Sequence, residues 1–155
     1  IKWENLFRWY SMNYYRRMKD LREDNDLTQQ DIANYLKVTR GTYSMYECGS
    51  NIIPLHLLDK LSLKYQVSID YLVGLSNEKN DKNIKEMNFD VMCQRLKEER
   101  DKNYLSQQNV SKSIGITQSH YATYENGHNT IPITRLIKLS KLYNVSLDYL
   151  MGKCS

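Results

Sequence analysis

At 155 residues and 18.4 kDa, with 26% of residues charged, the chain can form one or two small domains. No apolar run approaches the roughly twenty residues of a membrane span and no signal-peptide pattern is present, so membrane insertion and secretion are excluded and a soluble, cytoplasmic protein is expected. Cys48, Cys93 and Cys154, an odd and widely spaced set without a CxxC pair, argue against a disulfide framework and a zinc site, and a net charge of +4 is too mild to name a partner by itself.

Taken in order, residues 1–17 (IKWENLFRWYSMNYYRR) are aromatic and basic. Met12 is a plausible native start, which would make residues 1–11 an appended tag. The segment reads as an extension of the first helix that buries Tyr14 and Tyr15, set against an arm that lies along DNA with Arg16 and Arg17 or a helix that packs on a partner. A first helix is expected from Met18 to Asn25, with Met18 and Leu21 inward. Thr28 then stands where a helix N-cap belongs, because its hydroxyl can accept from an orphan amide one turn on. Ile32, Ala33 and Leu36 follow at helical spacing and give one apolar face. Lys37, Val38 and Thr39 break that helix and cap the next, whose inward positions are Tyr43 and Tyr46 and whose stop is Gly49. Ser50–Ile53 reads as a loop, Pro54–Tyr65 as a fourth helix with Leu57, Leu58 and Leu61 inward, and Ser68–Leu72 as a short fifth. His56 falls on the surface of the fourth helix.

The same pattern then returns. Shifted by 78 positions, 25 of the 57 residues from Met18 to Gly74 are identical in Leu96 to Gly152. The chain is an internal duplication. Residues 75–88 between the copies are polar and charged and read as a linker, with a reach of about 46–50 Å. Phe89–Lys102 opens the second copy with Phe89, Met92 and Leu96 on one stripe. Ser106 repeats the N-cap, Val110 and Ile114 the apolar face, Gly115-Ile116-Thr117 the break, and Tyr121, Tyr124 and Gly127 the inward pair and the stop. The expected organisation is therefore an N-terminal extension (1–17), a first domain (18–74), a linker (75–88) and a second domain (89–155).

Two short helices joined by a three- or four-residue turn form a helix-turn-helix, whose second helix is the one able to enter a DNA major groove. The runs LTQQ…VTRGTYSMYECG…IIP…SIDYLVG and LSQQ…ITQSHYATYENG…IP…SLDYLMG resemble the Cro/cI repressor family in both copies. That resemblance implies an all-α fold of two tandem five-helix lambda-repressor-like DNA-binding domains. It implies double-stranded DNA as partner, transcriptional regulation by occupancy, most readily repression, and a bacterial or phage source with the protein at the nucleoid. In the family an Arg in the first helix pairs with the acidic residue that ends the recognition helix, here Arg22 with Glu47 and Arg100 with Glu125. A Gln one residue past the N-cap grips a phosphate, which points to Gln29 and Gln107, their amides adding to those of the helix N-terminus. The fifth-helix tail contributes dimer contacts in relatives, so Tyr71, Leu72 and Val73, with Tyr149, Leu150 and Met151, are candidates for a homodimer interface beside the N-terminal extension, with burial in the core as the competing fate of the leucines.

Base reading requires exposed side chains at the start of the second helix. In the first copy these are Thr39, Arg40, Gly41, Thr42 and Met45; in the second, Thr117, Gln118, Ser119, His120 and Thr123. Arg40 suits guanine, Gln118 adenine, and His120 a guanine acceptor or a phosphate. Thr28 and Ser106 at the caps, Lys37, Lys112, Asn126 and His128 complete the phosphate candidates. Gly41 removes a reading side chain, Cys48 stands where the second copy has Asn126, and residues 18–74 carry −2 against +2 for 96–152. These features weaken DNA contact by the first copy and favour, as the alternative, an antitoxin-like or interaction module that uses one or both helix pairs for pairing. No glycine-rich phosphate loop, metal-ligand cluster or nucleophile with base and orienter is present, so no enzyme, cofactor or small-molecule ligand is expected.

Overall fold

A computed structural model describes residues 3–79 and 83–155, with side chains from Tyr14 onward; the suggested start at Met12 and tag before it lie outside the described side chains. Regular structure among the described residues is helical, no helix there is long and apolar enough to cross a membrane, and the chain divides into two compact units, Ile1–Ile84 and Lys85–Ser155. The first contains α1 (Trp3–Asp24), α2 (Gln29–Leu36), α3 (Arg40–Cys48), α4 (Leu55–Tyr65) and α5 (Ile69–Leu72). The second repeats them as α6 (Phe89–Lys102), α7 (Gln107–Ile114), α8 (Gln118–Glu125), α9 (Ile133–Tyr143) and α10 (Leu147–Leu150).

Hydroxyl caps set the helix starts. Thr28, Thr39, Ser68, Ser106, Thr117 and Ser146 each accept from an amide three residues on. At α2 and α7 the cap is reciprocal, since Asp31 and Asn109 also accept from the backbone amides of Thr28 and Ser106. The turn into the next helix requires a left-handed residue. Gly115 supplies it at φ 76°, whereas Lys37 adopts φ 58° in the first unit, a conformation that a side-chain-bearing residue resists. Val38 and Ile116 follow as half-buried plugs.

Each unit closes around its own core. Met18, Ile32, Leu36, Tyr43, Leu58, Leu61 and Leu72 are buried in the first, and Leu96, Val110, Ile114, Tyr121, Leu136, Leu139 and Leu150 at matching places in the second. Each such aliphatic side chain contributes about 1.5–3 kcal/mol by leaving water. Of the fifth-helix tails, offered above as dimer surface, Leu72, Val73, Leu150 and Met151 are fully buried in these cores, because the short helix turns its apolar side onto the helices around it, while Tyr71 and Tyr149 stay half-buried.

The first helix is extended ahead of Met18, as expected from residues 1–17, and starts at Trp3. Tyr14 is buried, and Tyr15 lies half-buried against the end of α3. A Cβ at Gly49 would come within 2.3 Å of the Tyr15 ring, so that helix stop is fixed by packing as well as by its φ of 81°. Arg17 is not part of a free arm. It donates to the carbonyls of Tyr71 and Ser76 and to Asn77 Oδ1, and its guanidinium lies 4.3 Å over the Tyr71 ring. Arg95 repeats this clamp on Tyr149 and Cys154. Residues 75–77, expected as linker, are thereby held on the first unit, while the Asn88 amide bonds Met151 within the second. Lys79 also lies 3.8 Å from the Asp24 carboxylate of the first unit, and residues 80–82 lie outside those described.

Candidate nucleic-acid interface

In each unit the pair α2–α3 or α7–α8 is anchored from beneath by one ion pair. Arg22 Nη2 meets Glu47 Oε1 at 2.7 Å and Nε meets Oε2 at 3.0 Å; Arg100 Nε meets Glu125 Oε1 at 2.7 Å. The glutamates are almost inaccessible, with side-chain exposures of 4% and 2%. The glutamates push both guanidinium pKa values upward. Burial raises the Glu125 carboxyl, but hydrogen bonds from Arg100, Gln107 and Tyr121 outweigh it and leave the group below the usual carboxylate range. The pair implied by the family resemblance is present in both units and fixes the first helix of each to the end of its recognition helix.

Buried tyrosines form the inner side of that helix. Tyr43 and Tyr46 in α3, and Tyr121 and Tyr124 in α8, face the core, so the opposite side and first turn face out. The two units satisfy their hydroxyls differently. Tyr121 and Tyr143 bond each other at 3.2 Å, whereas Tyr43 and Tyr65, at the corresponding places, are buried without a partner among the described residues.

On the outer side of α3, Arg40, Gly41 and Met45 are exposed. Arg40 has no ion pair among the described residues, and a Cβ at Gly41 would meet only Thr39 Oγ1 at 4.0 Å, so packing does not require glycine there. Thr39 and Thr42 depart from the expectation of free reading hydroxyls. They lie 2.8 Å apart and the Thr42 amide bonds Thr39 Oγ1, because the cap uses both. In α8, Gln118 and Ser119 are exposed, and Thr117 is committed to its cap with the His120 amide at 3.2 Å. The Thr123 hydroxyl donates to His120 O at 2.6 Å and accepts from Asn129, so the methyl is what it offers outward. His120 is half-buried, with Nε2 turned to the Tyr124 hydroxyl rather than fully outward.

The phosphate candidates separate in the same way. Thr28 and Ser106 are closed in their capping boxes. Gln107 donates to Glu125 Oε2 at 2.8 Å, a bond that competes with a phosphate for its amide; Gln29 is half-buried at the equivalent place. Lys37, Lys112, Asn126 and His128 are exposed. At the start of α2 the Thr28 hydroxyl and amide hold the Asp31 carboxyl below its usual range, which places a negative charge where a phosphate would dock. Asn109 is neutral at the start of α7, leaving that N-terminus the better anion site.

The sequence reading places Arg17 only on a candidate DNA arm and does not single out Arg95, although both stand one residue ahead of the repeat register and their shared clamp could have been sought by extending it. It also missed Arg135, which bonds Tyr124; Leu57 occupies that position in the first unit, so the repeat gave no signal. No group of three or more potential metal-binding side chains occurs among the described residues.

Comparison with known proteins follows the same division. The helix-turn-helix family model matches twice, at residues 18–72 and 96–150. The chain is 38% identical over 62 residues to an uncharacterised helix-turn-helix transcriptional regulator, YobD, of Bacillus subtilis, covering 40% of this chain and 55% of that protein. It is 36% identical over 69 residues to the cryptic phage CTXphi transcriptional repressor RstR of Vibrio cholerae, covering 44% and 62%. To the antitoxin PezA of Streptococcus pneumoniae it is 34% identical over 59 residues, covering 38% and 37%. The chain thus spans about half the length of the curated relatives it matches, and no solved structure matches it. With both copies matched over most of their length, the chain belongs to the helix-turn-helix family, as two tandem domains of the Cro/cI type.

Proposed function

We propose that the chain is a sequence-specific DNA-binding regulator of transcription, acting as a repressor by occupancy and without catalysis, with α3 and α8 as its recognition helices. The observation that carries this reading is the repeated outward first turn of α3 and α8, each backed by a buried tyrosine pair and a buried Arg–Glu anchor. Rigid backing of this kind holds exposed side chains at fixed positions against base edges. Arg40 and Met45 would read bases in the first unit, Gln118, Ser119, His120 and the Thr123 methyl in the second. Lys37, Lys112, Asn126 and His128, with the amides at the starts of α2 and α7, would hold phosphates. The exposed side chains of the two helices differ, so the target would be an asymmetric two-part site. A homodimer through the N-terminal extension would present four reading helices.

A second reading is favoured by two observations in the first unit, the Asp31 charge at the phosphate position and the missing side chain at Gly41, and by the similarity of the chain to an antitoxin. There the first helix pair would serve pairing with a protein, and DNA contact would fall to the second. Duplex binding measured against salt concentration in the wild type, Lys37→Ala and Lys112→Ala separates the two readings: both variants lower the salt slope if both units hold phosphates, and only Lys112→Ala does if the first unit serves pairing. Phosphate contacts release counterions, and the logarithm of affinity then falls linearly with that of salt. Absence of duplex binding at low salt by a fully folded chain overturns the regulator reading.

A further inference from the structure

The second unit carries a polar chain that the first lacks. His120, Tyr124 and Arg135 stand where the first unit has Thr42, Tyr46 and Leu57. Arg135 Nη1 donates to the Tyr124 hydroxyl at 2.5 Å, and that hydroxyl lies 3.1 Å from His120 Nε2. The His120 and Tyr124 rings also pack together, with centroids 5.1 Å apart. Tyr124 is 2% exposed, so water does not compete for its oxygen.

The placement of each proton follows from what these groups can donate. A guanidinium has donors only, so the Tyr124 oxygen is the acceptor for Arg135. The phenol proton then needs an acceptor of its own, and among the described residues His120 Nε2 is the one within reach. If Nε2 carried a proton and donated instead, the buried phenol hydrogen would be left without an acceptor, which folded proteins avoid. Nε2 is therefore the bare nitrogen of a neutral ring, and the hydrogen sits on Nδ1. Nδ1 has no hydrogen bond among the described residues and is not one of the side-chain atoms sealed from solvent without a partner. It belongs to the half-buried His120 in the first turn of α8, which also carries the exposed Gln118 and Ser119.

We propose that Tyr124 and Arg135 are positioning residues for base recognition: they fix the His120 tautomer so that Nδ1–H, a donor, faces the DNA. A donor there favours an acceptor edge, of which guanine with N7 and O6 offers two, and rejects cytosine, whose major-groove edge offers only the N4 amino donor. The base preference rests on the reading that α8 enters a major groove; the tautomer does not.

Two measurements on the full chain test this. Long-range proton–nitrogen NMR distinguishes the tautomers of the three histidines. His120 is expected as Nδ1–H in the wild type and in Arg135→Lys, which keeps a donor. It is expected to revert toward the Nε2–H form in Tyr124→Phe and Arg135→Leu. Phenylalanine keeps the ring and leucine is the residue the first unit uses at that position, so both variants retain the packing, checked by circular dichroism. An Nε2–H His120 in the wild type overturns the proposal. Selection from a random duplex pool gives the second test. Preference for guanine over cytosine in one column should fall about five- to tenfold in His120→Ala and in Tyr124→Phe, with the other columns unchanged. A column lost in His120→Ala but kept in Tyr124→Phe and Arg135→Leu overturns the positioning role and leaves DNA reading intact. A wild type that enriches no motif while showing the Nδ1–H tautomer overturns the proposed function, and the base preference with it.

Discussion

Replacing Glu125 by alanine tests the anchoring argument most directly. Glu125 accepts from Arg100 at 2.7 and 3.3 Å and from Gln107 at 2.8 Å, with its side chain 2% exposed. Its removal leaves the Arg100 guanidinium, 12% exposed, with only the exposed Asp101 carboxylate, 2.7 Å from Nη1, as counter-charge. Breaking a buried pair in this way costs about 3–5 kcal/mol. A unit of roughly 70 residues has about 3.5–10 kcal/mol in total, so Glu125→Ala should remove a third or more of the stability of the second unit and bring it near unfolding. Glu125→Gln, which keeps an acceptor but not the charge, should cost about 1.5–3 kcal/mol. Urea titration separates the units, because both tryptophans, Trp3 and Trp9, belong to the first. Circular dichroism of the full chain should show an early transition that tryptophan emission does not follow. The pH dependence carries the same sign. Glu125 titrates lower folded than its unfolded value of about 4.3, so its contribution is complete above that pH and is lost as pH falls through the folded value. A loss below about 1 kcal/mol for Glu125→Ala, or an equal shift in tryptophan emission, would refute the anchoring argument.

Three further outcomes follow from differences between the units. Lys37→Gly should stabilise the first unit by about 1 kcal/mol in urea titration, because it relieves a left-handed lysine at the place where the second unit has Gly115. Tyr121→Phe should cost about 1 kcal/mol by leaving the Tyr143 hydroxyl unpaired, whereas Tyr43→Phe, which removes a hydroxyl without a partner, should be neutral or stabilising; thermal melts of the two variants compare them. Cys48 is exposed, and its hydrogen bond to Ser50 lowers its thiol, while burial raises Cys93. Timed alkylation followed by mass mapping should therefore label Cys48 before Cys93, with Cys93 reacting only on unfolding, and Ser50→Ala should slow Cys48.

The duplication, the ten helices of the described residues and the core were legible from sequence because each depends on local signals that the chain states twice. Hydroxyl caps at Thr28, Thr39, Ser106 and Thr117, apolar residues at helical spacing and tyrosines at positions 43, 46, 121 and 124 all act within a few residues of themselves. The outward turn offered as the candidate site was legible for the same reason, since the exposed first turn of α3 or α8 is the side its buried tyrosines leave open. The partners of each side chain were not legible. Whether Arg17 swings free or clamps Tyr71 and Ser76, whether Gln107 is open or bonds Glu125, and whether His120 points out or leans on Tyr124 depend on groups 4 to 60 residues away. Composition and periodicity carry no term for such pairs. Sequence by itself determined two helix-turn-helix units and their buried faces, because helix formation and burial are set by local pattern. Tertiary structure alone decided which exposed groups keep their donors and acceptors for a ligand, because a hydrogen bond already made inside the unit is one less to offer outside it.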